Sequence, residues 1–240
     1  MALIQTDAIV LSSLKFGDTS LIVKCFTASD GLKSYILKGI LQSKKSNLKS
    51  GYFQPLQQLK LVANHQPKKD LHLIKEVTVA YHYQNIPNNL VKKTLVMFLA
   101  EVLINTIKEE EENQALYEYL ENAFIWLDLH DKVANFHLIF LLQLTKYLGF
   151  YPDTYQSNYQ AFNLMDGVFI NKINNSFSVD GKKVELLKQF LGTNFDDVSK
   201  LILTKTERQM LLDLLITYYQ LHLSNFKKPK SIAILQTVFN

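Results

Sequence analysis

Four lysines, Lys38, Lys44, Lys45 and Lys49, fall in the stretch from Lys38 to Gly51 together with three serines, two glycines, no acid and no aromatic ring. Such a stretch cannot fill a core, because its ammonium groups would be desolvated without partners. It must lie in solvent and offer positive charge to something anionic. A second basic cluster, Lys227, Lys228 and Lys230, surrounds Pro229 near the other end of the chain. The chemistry both invite is electrostatic: ammonium groups tracking phosphates, with counterions released as each phosphate is neutralised. Lys24 and Lys33 extend the candidate set. Phe16, Tyr35, Tyr52 and Phe53 are aromatic side chains on which a base could stack.

Catalytic constellations are missing. There is no G-x-x-x-x-G-K-[ST] phosphate loop, no G-x-G-x-x-G, no H-E-x-x-H and no G-x-S-x-G. The histidines His65, His72, His82, His130, His137 and His222 are scattered, none with another at i+3 or i+4, so they read as packing or surface residues. Cys25, the single cysteine, alternates with apolar neighbours and reads as a small buried hydrophobe. It can form neither an internal disulfide nor a Cys-x-x-Cys metal site, which fits a reducing compartment. The acid run Glu109 to Glu112 reads as a solvated loop. Binding, not catalysis, is the class the residues favour, with no cofactor and no metal expected.

The elements that must position these residues fall into two regimes. From residue 1 to 80 the pattern is strand-like: Ala8 to Leu11, Leu21 to Phe26, Lys33 to Leu37, Leu56 to Val62 and Leu71 to Val79. They are separated by Phe16-Gly17-Asp18, Ser29-Asp30-Gly31 and the polar run Asn64 to Asp70, and Asp-Gly is a strong hairpin signal. Five short strands with no helix between them predict a small barrel of OB type, since closure is how so small a sheet removes its edges. The lysine-rich stretch is then the loop between the third and fourth strands. From 81 to 240 the period becomes helical. Leu90, Leu95, Phe98, Leu99, Val102, Leu103 and Ile107 line one face of a helix introduced by Pro87; further helices are predicted over 114–129 and 132–148. Between 151 and 181 the period fails, and Asp166 to Ile170 and Phe177 to Gly181 could pair as a hairpin inserted in the helical region. Helical pattern returns at 184–191 and at 206–223, where Thr204-x-x-Glu207 has the form of a capping box, and a short helix ends the chain. The fold class is therefore α+β: a five-stranded OB-type barrel, 1–80, then an all-α domain, 81–240, with a small hairpin-like insertion at 151–181.

Charge follows the same division. Residues 1–80 hold eleven lysines against five acids, residues 81–150 five against nine, and residues 151–240 ten basic residues against eight acids. Positive charge is concentrated on the barrel, as a polyanion-binding module requires, although the same surface would also suit an acidic peptide or RNA. No apolar run approaches the roughly 18 residues of a membrane span, and nothing after Met1 reads as a signal peptide, so a soluble cytoplasmic protein without membrane contact is expected.

Several short motifs carry a resemblance when taken in order. Thr6-Asp7-Ala8-Ile9-Val10-Leu11, Phe16-Gly17-Asp18-Thr19-Ser20-Leu21-Ile22-Val23, Phe26-Thr27, Asp30-Gly31, Lys38-Gly39 with Ser43-x-Lys45-Ser46 and Leu48, and Gln54-Pro55 resemble the N-terminal barrel of the RecO recombination and DNA-repair proteins. The likeness continues through Tyr147-Leu148-Gly149-Phe150 to Lys230-Ser231-x-x-x-Leu235. It implies a non-enzymatic mediator that binds single- and double-stranded DNA and anneals complementary strands. It also implies help, with RecR, in loading recombinase on DNA coated by single-stranded-DNA-binding protein, whose acidic C-terminal tail would be a further partner. Lys24, Lys33, Lys38, Lys44, Lys45 and Lys49 would then contact DNA, with Lys227, Lys228 and Lys230 as a second contact. Two departures stand out. Many members have arginines where this chain has Ile40-Leu41-Gln42, so the loop should position DNA by charge with little base specificity. Many carry a four-cysteine zinc module, but residues 151–181 contain no cysteine, so zinc is expected to be absent and Tyr, Phe and Ile packing should hold the insertion.

Overall fold

The structure is a computed structural model that describes residues 2–42, 49–66, 69–108 and 110–239. Lys44 and Lys45 lie outside the described residues. The chain is α+β, a closed barrel followed by a helical region, and divides into two compact units, Met1–Asp128 and Leu129–Asn240.

In the first unit β1 (Ala2–Phe16), β2 (Ser20–Thr27), β3 (Gly31–Leu37), β4 (Gln58–His65) and β5 (Leu71–Val79) close in the order β1-β2-β3-β5-β4. All pairs are antiparallel except β3 with β5, which meet only at Ser34↔Leu71 and Tyr35↔His72. Alternate residues fill the barrel, Ala8 and Val10, Val23 and Cys25, Tyr35 and Leu37, Leu59, Leu61 and Ala63, joined by Ile74 and Val77 on either side of a register shift in β5. Cys25 is fully buried among them, and burial pushes its thiol pKa up.

A bulge between Val10 and Ser12 governs what β1 shows to solvent. Val10 pairs with Cys25 and faces inward; beyond the bulge Ser13 pairs with Val23 and takes over the inward face. The one-residue shift turns Leu14 and Phe16 outward, although unbroken alternation from Val10 would send them into the core.

The β4 strand begins two residues later than the sequence indicates. Leu56 adopts φ +59° in the turn that follows Pro55, where its amide donates to Val10 O at 2.7 Å and its side chain is fully buried. Pro87 likewise sits in a 3-10 turn, Ile86–Asn88, rather than in the helix; α1 (Leu90–Thr106) is capped by Asn89, whose side chain accepts from the Lys92 amide at 3.1 Å. Leu90, expected on the apolar face, is 70% exposed because it occupies the first helical position. The rest of α1 and α2 (Gln114–Leu129) cover part of the barrel wall. Ile9 and Phe26 point outward from β1 and β2 yet are buried, Phe26 against the Tyr117 ring at 6.2 Å.

The segment joining barrel to α1 is tied to the end of α2. The fully buried Asp128 carboxylate accepts from the amides of Gln84, Asn85 and Ile86 at 2.8–2.9 Å, and its carbonyl accepts from the buried Lys92 ammonium at 2.8 Å. Those contacts place α1 and α2 in the same compact unit as the barrel, so that unit extends well past Val79, where the strand pattern ends.

The second unit contains α3 (Phe136–Tyr147), β6 (Ala161–Asn163), β7 (Val168–Ile170), β8 (Ser178–Asp180), α4 (Lys182–Phe190), α5 (Lys205–His222) and α6 (Ile232–Val238). The capping box at Thr204 and Glu207 is present. The insertion differs from the expected hairpin: the 168–170 and 178–180 strands do not pair with each other but flank β6 in a three-stranded sheet. Ala161-Phe162-Asn163 is too short to signal a strand, yet all three residues are buried and Phe162 packs on Phe169 at 4.9 Å and on Tyr218 of α5 at 5.9 Å. Phe and Tyr packing thus holds the insertion, whereas Ile173 is 52% exposed. No group of three or more His, Cys, Asp or Glu side chains among the described residues is placed to hold a metal ion, and no helix among them is long and apolar enough to cross a membrane.

Candidate nucleic-acid interface

Past the bulge, the outer face of β1, β2 and β3 is a patch of cross-strand rows. Phe16 lies opposite Ser20; Leu14, Ile22 and Ile36 form the next row; Ser12, Lys24 and Ser34 form the third. Leu14 is 64% and Phe16 53% exposed, and none of these eight residues carries a carboxylate. Lys38, exposed, follows directly on β3. The start of the next loop is docked on the β1–β2 turn: Gly39 takes φ +70°, Leu41 N donates to Thr19 O at 2.9 Å, and Ile40 is buried. Lys38 is thereby tethered beside Phe16 and the β1–β2 turn, where exposed Asp18 is the neighbouring acid. Lys49 is exposed at the far end of the loop, and the 3-10 turn after it, Ser50–Phe53, inserts Phe53 into the core.

The aromatic candidates separate accordingly. Tyr35 and Phe53 are core residues, Tyr52 is half-buried against the core, and Phe16 alone of the four is exposed.

Lys33 belongs elsewhere. Paired with Cys25, it shares the inward parity of β3 and lies at the barrel mouth, its ammonium 3.1 Å from the Glu110 carboxylate and 3.4 Å from the Glu110 carbonyl. The same mouth holds a polar cluster that spacing along the chain did not reveal. Tyr35 Oη lies 2.9 Å from His65 Nε2, His65 Nδ1 lies 3.6 Å from Asp30, and the His65 and His72 rings are 4.7 Å apart. The two histidines are seven positions apart but meet across the β4–β5 hairpin. The Gln66 amide donates to His72 Nδ1, which fixes a neutral tautomer with its proton on Nε2. Burial holds both imidazoles below their ordinary pKa; at His65 Asp30 opposes this, and at His72 the neighbouring His65 and Lys33 reinforce it.

In the second unit Lys227, Lys228 and Lys230 are all exposed on the turn after α5, while Phe226 just before them and Pro229 among them are buried. Phe226 packs on Tyr219 at 5.3 Å, so the turn is anchored by its buried residues and presents its lysines outward. A cavity of about 830 Å³ opens between α5, β8 and α6, with Lys183, Lys205 and Arg208 against a single acid, Asp213, around an apolar floor that includes Leu235 and Phe239. His137 of α3 lies at its base, and burial, helped by the Arg208 charge, holds its pKa down to about 3. Arg208 of α5 brings a basic group beside the start of α3 across space. Arg208 donates to Asn135 at 3.0 Å and lies over the Phe239 ring at 5.6 Å.

Comparison with known proteins covers both units. Residues 1–83 match the family model described as Recombination protein O N terminal, and residues 87–231 match Recombination protein O C terminal. The chain is 47% identical over 237 residues to a protein named DNA repair protein RecO from Christiangramia forsetii, and 46% identical to one of the same name from Flavobacterium psychrophilum, with 99% of each chain covered in both cases. A protein of that name from Phocaeicola vulgatus is 32% identical over 98% of this chain and 99% of its own.

Proposed function

Because the chain belongs to the RecO family of DNA repair proteins, we propose that it is a non-enzymatic recombination mediator that binds single- and double-stranded DNA, anneals complementary strands and, with RecR, helps load recombinase on coated single strands. The observation that carries this reading is the outer face of β1–β3, where Leu14, Phe16, Ile22 and Ile36 lie beside Lys24 and Lys38 with no carboxylate among them. The exposed Phe16 ring and the aliphatic row beside it give unstacked bases an apolar seat, and the lysines give the backbone its counter-charge. Lys44, Lys45 and Lys49 extend that charge along the loop, and Lys227, Lys228 and Lys230 supply a second phosphate contact. The apolar and cationic cavity of the second unit suits the acidic C-terminal tail of the coat protein, which needs both counter-charges and an apolar seat.

The test is strand annealing with and without coat protein, alongside salt-dependent binding. The wild type should accelerate annealing of complementary strands. Joint substitution Lys24→Gln, Lys38→Gln and Lys49→Gln should reduce the salt slope by about 0.7 per lost single-strand phosphate contact. Lys205→Glu should weaken binding of a tail peptide without changing naked-DNA binding. Absence of annealing together with tight binding of an acidic peptide to the barrel would replace this reading with that of a protein scaffold.

A further inference from the structure

The loop that follows α3 carries a second aromatic and basic surface. Tyr155 is 89% exposed, the most exposed aromatic side chain among the described residues. Its loop is nevertheless held at both ends. Asp153 N donates to Gly167 O at 2.8 Å, the Asp153 side chain accepts from the Tyr155 amide at 2.9 Å, and Tyr159 O accepts from the Lys188 ammonium at 2.6 Å. A ring presented on a pinned loop loses little freedom when it is covered, which is what a stacking platform requires.

Beside it runs a groove of about 470 Å³ lined by Lys146, Tyr151, Thr154, Ser157, Lys188 and the backbone at Gly192, with no carboxylate in its walls. The two ammonium groups are steered by rings instead of acids: Lys146 lies 4.7 Å above Tyr151 and Lys188 lies 5.4 Å from the Phe169 ring. Neither has a carboxylate within ion-pairing distance among the described residues. Thr154 and Ser157 add hydroxyl groups between them. Cations without internal counter-ions, hydroxyl groups and an exposed ring are the parts from which single-strand sites are built, with phosphates following the cations and a base covering the ring.

We propose that this groove is a single-stranded nucleic-acid contact of the helical unit, separate from the barrel face and from Lys227, Lys228 and Lys230, with Tyr155 stacking on a base and Lys146 and Lys188 holding the adjoining phosphates. The proposal rests on the DNA-binding reading above. Asp153, the acid next to Thr154 in sequence, accepts from the Tyr155 amide and shapes the loop.

The experiment uses the full chain and a short labelled oligothymidylate at low salt, in the wild type and in a background carrying Lys24→Gln, Lys38→Gln and Lys49→Gln so that the barrel face does not mask the groove. In that background Tyr155→Ala should weaken binding by about 5- to 150-fold, the range of one lost stacked base, and Tyr155→Phe should restore it. Lys146→Gln should lower the salt slope by about 0.7. In a Tyr155→Trp variant, emission above that of the native Trp126 should be quenched by the oligonucleotide. Tyr155→Ala binding as tightly as its parent, without quenching in the Tyr155→Trp variant, would overturn the groove while leaving the barrel reading intact. Quenching by an oligoglutamate peptide but not by the oligonucleotide would make it a peptide site and overturn it too. A wild type that binds no DNA at all would remove the DNA-binding reading, and the groove with it.

Discussion

Lys24 and Lys33 are the same side chain on neighbouring strands, and their surroundings assign them opposite tasks. Lys24 stands between two serines on an outer face without acids, whereas Lys33 is turned inward and held by Glu110. Lys24→Gln should therefore lower the salt slope of DNA binding by about 0.7, and Lys33→Gln should leave it unchanged, a contrast that fluorescence anisotropy across a salt series measures. Equal slopes would mean that Lys33 leaves Glu110 when DNA arrives. His137 supports a prediction of another kind. Its folded pKa of about 3 lies below the ordinary value of 6.5, so between those limits the unfolded chain binds a proton that the folded chain does not. Stability is then full above pH 6.5 and falls as the pH drops toward 3, by up to about 3 kcal/mol at pH 4 from this group alone. His65 and His72, also depressed, have the same sign. Urea unfolding at pH 7.5 and pH 4 should show a smaller loss for His137→Gln than for the wild type. A loss as large in the variant would assign the acid sensitivity to other groups.

Between one residue and the next turn, the elements show where sequence pattern suffices and where it does not. Strand alternation and turn residues located all five barrel strands, because each buries one face and ends at glycine or a polar run. Alternation could not show the bulge after Val10, since one added residue leaves composition untouched while reversing every side chain beyond it. That reversal makes Phe16 a surface ring, and the meeting of His65 with His72 likewise depends on hairpin register, not on spacing along the chain. α3 starts at Phe136, four residues after the pattern predicts, because Lys132 to Asn135 form an irregular turn whose Asn135 side chain bonds Leu201 O and Arg208, partners distant in sequence. The joint between barrel and helices is also a long-range construction. In Asp128→Ala, the buried Ile86 amide and the half-buried Gln84 and Asn85 amides lose their acceptor while the Lys92 ammonium keeps the backbone carbonyl, and a loss of about 2–4 kcal/mol is expected. Denaturant midpoints read it directly. A change under about 1 kcal/mol would mean that water replaces the carboxylate and that the joint is held by apolar packing.

For the whole molecule, the question is what constitutes a folding unit. The strand pattern ends at Val79 and the N-terminal family match at residue 83, yet the compact unit runs to Asp128. The physical reason lies on the barrel wall. Ile9 and Phe26 face outward, so a barrel without its helices would expose both, at about 1.5–3 kcal/mol each. It would also leave the buried Gln58 side chain without Glu121 O, to which it donates at 2.9 Å. A domain of about 80 residues has only a few kcal/mol of stability to lose. A fragment of residues 1–83 should therefore be unfolded or aggregated, whereas residues 1–128 should unfold cooperatively in urea with dispersed amide resonances. Adding Phe26→Ser to the shorter fragment should improve its solubility by removing the uncovered apolar surface, and the same change in residues 1–128 should destabilise by about 3 kcal/mol or more, because there the ring is buried against Tyr117. A cooperative, well-dispersed 1–83 fragment would instead make the barrel self-sufficient, with α1 and α2 as later additions to it.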